Sequence, residues 1–275
     1  MKKCSENLDR ILPIFDKIVK KTLCLQNYLL NDGHCSGLAE ACQHLDHRVV
    51  NRMLFNNCGI TGDQMATILD GISKLKDFKA LIYKNNELNR PAIQKLSHLL
   101  ERGVPNHMLE LQIIDCKMSA TLIEDLMENL SESKLKKFAL VNVHHSDSSF
   151  DKVVEYVHES LYLRDLNLTW SNVRPALMLR LLKEIQTNAS LHNLSLGFNQ
   201  LLEEEIESKS LPTVMPGIDD EEEKADEPLS EFNSEVVNCF KDFIKYNIYL
   251  NHLDLQSAGL NVTAIKFITG LLRKS

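Results

Sequence analysis

Aromatic side chains are scarce in this 275-residue chain, making up 6% of it with a single tryptophan. A sandwich core organised around rings is therefore not the expected architecture. Glycine is also sparse: there are ten, none set as GxGxxG or GxxxxGK followed by Ser or Thr, so no phosphate-cradling loop is present. No GxSxG elbow occurs, and no pair of carboxylates stands in a setting that argues for catalysis. No apolar run approaches the roughly 18 residues that span a bilayer, and the opening "MKKCSENLDR" lacks the apolar segment of a signal peptide. Lysine and arginine form no tract with interleaved aromatics. The seven cysteines are odd in number and scattered, which fits free thiols in a reducing compartment better than a disulfide framework. An enzyme, a nucleic-acid partner, a membrane partner and a cofactor are accordingly not expected.

Charge is distributed unevenly. Residues 203–231 hold twelve acids and two lysines, a local charge of −10 against −7 for the whole chain, which leaves the remainder at +3. Hydrophobic residues at 44% and charged ones at 25% are those of a folded globular protein.

Leucine recurs with a period. "LHNLSLGFNQL" from Leu191 aligns on its apolar positions with segments starting at Lys20, Val50, Phe78, Met108, Leu135, Leu163 and Leu250. The shared template is apolar at positions 1, 4, 6 and 11, with Asn, Cys or a small residue at 9. Successive starts lie 30, 28, 30, 27, 28 and 28 residues apart, then 59. Positions 4 and 6 leave the same face of a short strand. Position 9 turns the chain, where a side chain of that kind can satisfy backbone groups freed by the turn. Helical spacing follows, as in Met65, Ile68, Leu69 and Ile72, or Leu177, Leu181 and Ile185. Helix starts are marked by Asn89 with Pro91, by Ser119 and by Pro175. A strand and a helix every 28 or so residues predict an α/β solenoid of about eight repeats, a parallel sheet on its concave face and helices on its convex face.

The motif L-x-x-L-x-L-x-x-N/C-x-L over residues 20–275 resembles the leucine-rich repeat family, in its helix-bearing, ribonuclease-inhibitor-like subclass. Lys20 stands at a core position of the first unit, which marks it as a degenerate end repeat. In the fifth, Val143 and His145 replace the usual residues at positions 9 and 11, so an irregular turn is expected there.

Stacked repeats need covered ends. Residues 1–19 are expected to supply a capping helix through Ile11, Ile14, Phe15, Ile18 and Val19. The 59-residue gap is one repeat carrying an acidic insertion, residues 203–233, with three prolines and few large apolar groups. Such a composition predicts disorder and an exit at the strand-to-helix edge that leaves the array stacked. "GHCSGLAEACQHLDH" superficially offers a zinc set, yet Gly37, Leu38, Ala41 and Leu45 read as a core-facing helix. Cys35 and Cys42 would then lie two turns, about 10 Å, apart, too far to share one tetrahedral ion. No metal site is expected there or at His144-His145.

The exposed strand positions offer better binding material. Position 8 reads Asn27, Asn57, Asn85, Asp115 and Asn142, then Trp170 and Phe198. At positions 2 and 3 stand Lys136, Lys137, Arg164, Asp165, His192, Asn193 and His252. An aromatic pair ringed by charge has the composition of an interface hot spot, so Lys136, Arg164, Asp165, Trp170, His192, Phe198 and His252 are the candidate protein-binding residues. The expected function is a non-enzymatic interaction scaffold that grips a protein partner on its concave sheet, with a basic partner for the acidic insertion. Its expected location is cytoplasmic, with cytoskeleton or cilium as particular settings. One alternative follows from the resemblance: the family includes activators of the nuclear-transport GTPase that combine such repeats with an acidic segment. The other is a structural ciliary or cytoskeletal component.

Overall fold

A computed structural model describes residues 17–45, 48–100, 108–130, 133–186, 188, 190–203 and 229–272. Eight parallel strands follow one another in sequence order: β2 (Thr22–Gln26), β3 (Arg52–Asn56), β4 (Ala80–Lys84), β5 (Glu110–Ile114), β6 (Lys137–Val141), β7 (Asp165–Asn167), β8 (Asn193–Ser195) and β9 (His252–Asp254). Equivalent template positions pair across every neighbour, as in Leu23 with Met53 and Leu111 with Phe138. The strands shorten along the array, from five residues in β2–β6 to three in β7–β9.

Alternate positions decide which face is dry. Positions 4 and 6, among them Leu23, Leu25, Met53, Phe55, Leu166, Leu168, Leu194 and Leu196, are buried against the helices. Each buried leucine is worth about 1.5–3 kcal/mol relative to exposure. At β9, the edge of the sheet among the described residues, Leu253 and the following Leu255 are only half buried.

The convex layer comprises α1 (Asp32–Cys42), α2 (Gly62–Ile72), α3 (Arg90–Leu100), α4 (Ala120–Leu130), α5 (Asp147–Glu159), α6 (Pro175–Ile185), α7 (Glu231–Tyr246) and α8 (Val262–Leu272). Position 12 of the repeat is the helix cap. Asn31, Thr61 and Ser146 form reciprocal capping boxes, and Asn89, Ser119 and Asn261 each accept from the first turn. Arg174 has no capping bond, but Pro175 follows it with φ already suited to a helix. The layer is close-packed: a Cβ on Gly71 of α2 would fall 2.4 Å from Ala39 Cα in α1.

The seventh repeat shows how the insertion is accommodated. Its position 12 is Leu202, and the cap is supplied instead by Ser230, whose hydroxyl accepts from Asn233 N at 3.1 Å. Asn233 also ties the two flanks together: Glu203 N donates to its Oδ1 at 3.0 Å, and its Nδ2 donates to Glu203 O at 3.3 Å. The described flanks, Glu203 and Ser230, lie between β8 and α7. The expectation of disorder over 203–233 falls mostly on residues outside those described. Its last residues, from Glu231, are the first turn of α7, because Ser230 is a good cap.

The described part of the amino-terminal cap departs from expectation. Ile18 and Val19 form a two-residue strand, β1, antiparallel to β2. Lys20 and Lys21, with φ of 48° and 65°, make the tight turn between them. Two successive left-handed residues match the right-handed twist of a hairpin, which is why a lysine tolerates the place of a core residue. The remainder of the expected capping helix lies outside the described residues.

Candidate functional site

Position 8 has a conformational job in all eight repeats. Asn27, Asn57, Asn85, Asp115, Asn142, Trp170, Phe198 and Ser257 all have φ between 49° and 62°. In the first seven repeats the left-handed turn directs the backbone N–H to the position-7 carbonyl of the next repeat, from Asn27 N to Asn56 O at 2.9 Å through to Phe198 N to Gln256 O at 2.7 Å. Asn and Asp reach this region most readily among residues with a side chain, whereas bulky residues there cost about 1–3 kcal/mol. Position 9 then turns inward as expected. Asn86 accepts from Cys58 N and Ile60 N at 3.0 and 3.1 Å, and Asn199 donates to Leu168 O and Leu196 O at 2.9 and 3.0 Å.

The position-8 side chains form a ladder along the strand-end edge of the concave face. Asn57 donates to Asn27 at 2.9 Å and Asn142 to Asp115 at 2.7 Å. At the next rungs the polar ladder gives way to rings: Trp170 and Phe198 stack with centroids 4.3 Å apart and planes 8° from parallel. Trp170 is half exposed and Phe198 partly so.

The charged candidates lie elsewhere. Lys136, Arg164 and His192 occupy position 2, at the strand-start edge, on consecutive rungs: Arg164 N donates to Lys136 O at 2.8 Å and His192 N to Arg164 O at 2.7 Å. Position 2 precedes the strand and position 8 lies in the turn beyond it, so six residues, a reach of up to about 20 Å, separate them. The structure therefore brings the two aromatics together and three of the charged residues together, but does not ring one with the other. Asp165 and His252 belong to the position-3 row, where Asp165 accepts from Asn193 and His252 is exposed at the last strand.

Sequence reasoning passed over the middle of the concave face. Arg52 reaches past β4 to Glu110 at 2.6 Å, Lys137 stands 3.6 Å from the same carboxylate, and Gln112 donates to it. Beside this charged knot, half-buried Leu54 and Ile82 share position 5, and Ile114 and Val141 share position 7. The signal was available, since four apolar residues at outward positions of adjacent strands break the alternation that a solvated face requires.

Cys35 and Cys42 are buried in α1, where burial pushes both thiols up to about 12. His145 is half-buried, edge-on to Phe150, with both ring nitrogens shielded from solvent. Among the described residues no three His, Cys, Asp or Glu side chains are gathered to hold a metal ion. Among them too, no helix is long and apolar enough to cross a membrane.

Comparison with known proteins adds little to this geometry. No family model matches the chain, and no curated protein matches it. Among solved structures it is similar to a tropomodulin C-terminal domain of Caenorhabditis elegans, at 18% identity and a TM-score of 0.45, over 66% of this chain and 92% of that one. The fold class rests on the repeat geometry itself: an α/β leucine-rich repeat solenoid, with eight consecutive parallel strands and a helix after each.

Proposed function

We propose that the protein is a non-enzymatic interaction scaffold, and that the Trp170–Phe198 stack is its principal contact for a protein partner. One observation carries this reading. Two large rings occupy left-handed positions that five other repeats fill with Asn or Asp, and they keep part of their surface in solvent. Strain of this kind persists where another demand selects it, and an exposed aromatic pair at the rim of a curved sheet meets the demand of a binding anchor. Repeat lengths of 27–30 residues with a helix in each unit favour the ribonuclease-inhibitor-like subclass. Among the described residues six thiols are free, at Cys24, Cys35, Cys42, Cys58, Cys116 and Cys239, which favours a reducing compartment such as the cytoplasm. The acidic segment would recruit a basic surface, with an attraction that decays over roughly 8–10 Å in physiological salt.

The test is retention of partners by the parent protein and by W170N/F198N, which installs the residue type found at this position in four other repeats. Proteins held by the parent should be lost from the variant while its circular dichroism stays unchanged. Equal recovery would sink the reading. Faster GTP hydrolysis by a retained GTPase would favour the activator alternative instead.

A further inference from the structure

We infer that the strand-start edge of the carboxy-terminal repeats holds a second docking groove, suited to an acidic peptide segment of a partner protein that carries a large apolar side chain. This goes beyond the aromatic stack and lies at the opposite edge of the sheet.

Three successive helix-to-strand loops build the groove. The middle one is drawn in by Asn188, whose side-chain Oδ1 accepts from Ser190 N, Ser190 Oγ and Leu191 N at 2.8, 2.9 and 3.1 Å. Ser190 Oγ also bonds to Leu163 O at 3.0 Å, fixing the floor to the preceding repeat. The flanking loops stand proud. Leu161, 81% exposed, and Tyr162 rise on one side, and Tyr249, 53% exposed, on the other. Between them lies a depression of about 710 Å³.

Its chemistry is cationic and apolar together. Lys136 and Arg164 line it from consecutive rungs, about 4.8 Å apart by strand spacing. Two neighbouring cations of this surface are matched: Lys79, at the same template position, pairs with Asp77, and Arg52 pairs with Glu110. Among the described residues, neither Lys136 nor Arg164 has an ion pair or side-chain hydrogen bond, and no carboxylate lines the depression. His158 at its rim is already held by Glu184 at 2.6 Å. His192 lies flat on Tyr249, with ring centroids 5.7 Å apart and planes at 16°. Its Nδ1 is engaged by Ser190 O at 2.8 Å, which leaves Nε2 as its remaining polar atom.

Two unmatched cations favour carboxylates, and guanidinium in particular binds them in a fork. The exposed leucine and tyrosines offer an anchor for one apolar side chain. A nucleic acid would need a longer basic track than two residues provide.

The experiment is fluorescence anisotropy with three dye-labelled synthetic peptides. The first has Asp and Glu flanking one central phenylalanine. The second replaces every acid by its amide, and the third replaces the phenylalanine by alanine. The acidic phenylalanine peptide should bind, and its affinity should fall about tenfold or more between about 50 and 500 mM salt. The amide and alanine versions should each bind at least about fivefold more weakly. K136E/R164E should lose the acidic peptide by about tenfold or more, with the milder K136A/R164A losing it in the same order. W170N/F198N should bind it as the parent does, so that failure of the groove and failure of the aromatic stack are read separately. Absence of binding by the parent, equal binding of the amide peptide, or an unchanged affinity in both cation variants would overturn the inference.

Discussion

Replacing His145 by leucine should stabilise the solenoid, and should do so most in acid. The residue occupies template position 11, where Leu30, Ile60, Leu88, Val173 and Leu201 are buried in other repeats. Its ring meets Phe150 edge-on at 5.4 Å, and both ring nitrogens are buried with no hydrogen-bond partner. Burial, helped by the neighbouring His144, pushes the imidazole down from 6.5 to about 4. The folded value is therefore below the unfolded one. Above pH 6.5 both states are neutral at this site. As pH falls from 6.5 towards 4 the unfolded chain takes a proton that the folded chain refuses, and stability is lost. At about 1.4 kcal/mol per pH unit the ceiling is ~3 kcal/mol. Leucine removes that penalty, and at neutral pH it also removes about 1–2 kcal/mol for burying unpaired polar atoms. Urea unfolding at pH 7.5 and 4.5 should show the variant more stable than the parent at both, with a gap wider by about 1–3 kcal/mol at the lower pH. A gap of equal size at the two pH values would refute the titration argument, and a less stable variant would refute the reading of the site.

Gly71→Ala should destabilise by about 1–3 kcal/mol, because the added methyl meets the α1 backbone at Ala39; this outweighs the roughly 1 kcal/mol that alanine gains in helix propensity. A thermal melt showing stabilisation would mean that α1 and α2 have room to part. Asn86→Ala should cost about 2–4 kcal/mol, since it strands two buried N–H groups, Cys58 and Ile60, and one carbonyl, Lys84, and chemical denaturation measures it directly. Phe198→Ala should shift the emission of Trp170, the chain's single tryptophan, to longer wavelength by stripping one ring face; an unchanged spectrum would contradict the stack.

Repeat register was legible because it rests on side-chain alternation, which a sequence displays openly. Leu191, Leu194 and Leu196 had to face inward, and Asn199 had to turn, whatever the neighbouring repeats did. The helix starts at Asn89, Ser119 and Pro175 were legible for the same local reason. Backbone conformation was less so. Five Asn and Asp residues at position 8 pointed to a left-handed turn, but Trp170 and Phe198 concealed that the demand continued past them. The hairpin at Lys20 and Lys21 was missed because lysine carries no turn signal of its own, and the pairing of Ile18 with Leu23 imposes the bend. The charged residues were misplaced relative to the rings because template numbers show which face a side chain shares, not how far along the strand it lies.

The shortening of the strands has a mechanical consequence. In a molecule whose units touch only their neighbours, resistance to pulling is set by the weakest joint rather than by the total. The joints from β6 to β9 pair only three residues each, against five at every joint from β2 to β6. Tension along the array would part these shorter joints before the five-residue ones, with the earlier half still wound. Trp170, Phe198, Lys136 and Arg164 lie at those shorter joints, so a load would draw the stacked rings and the two cations apart before the earlier repeats of the spring gave way.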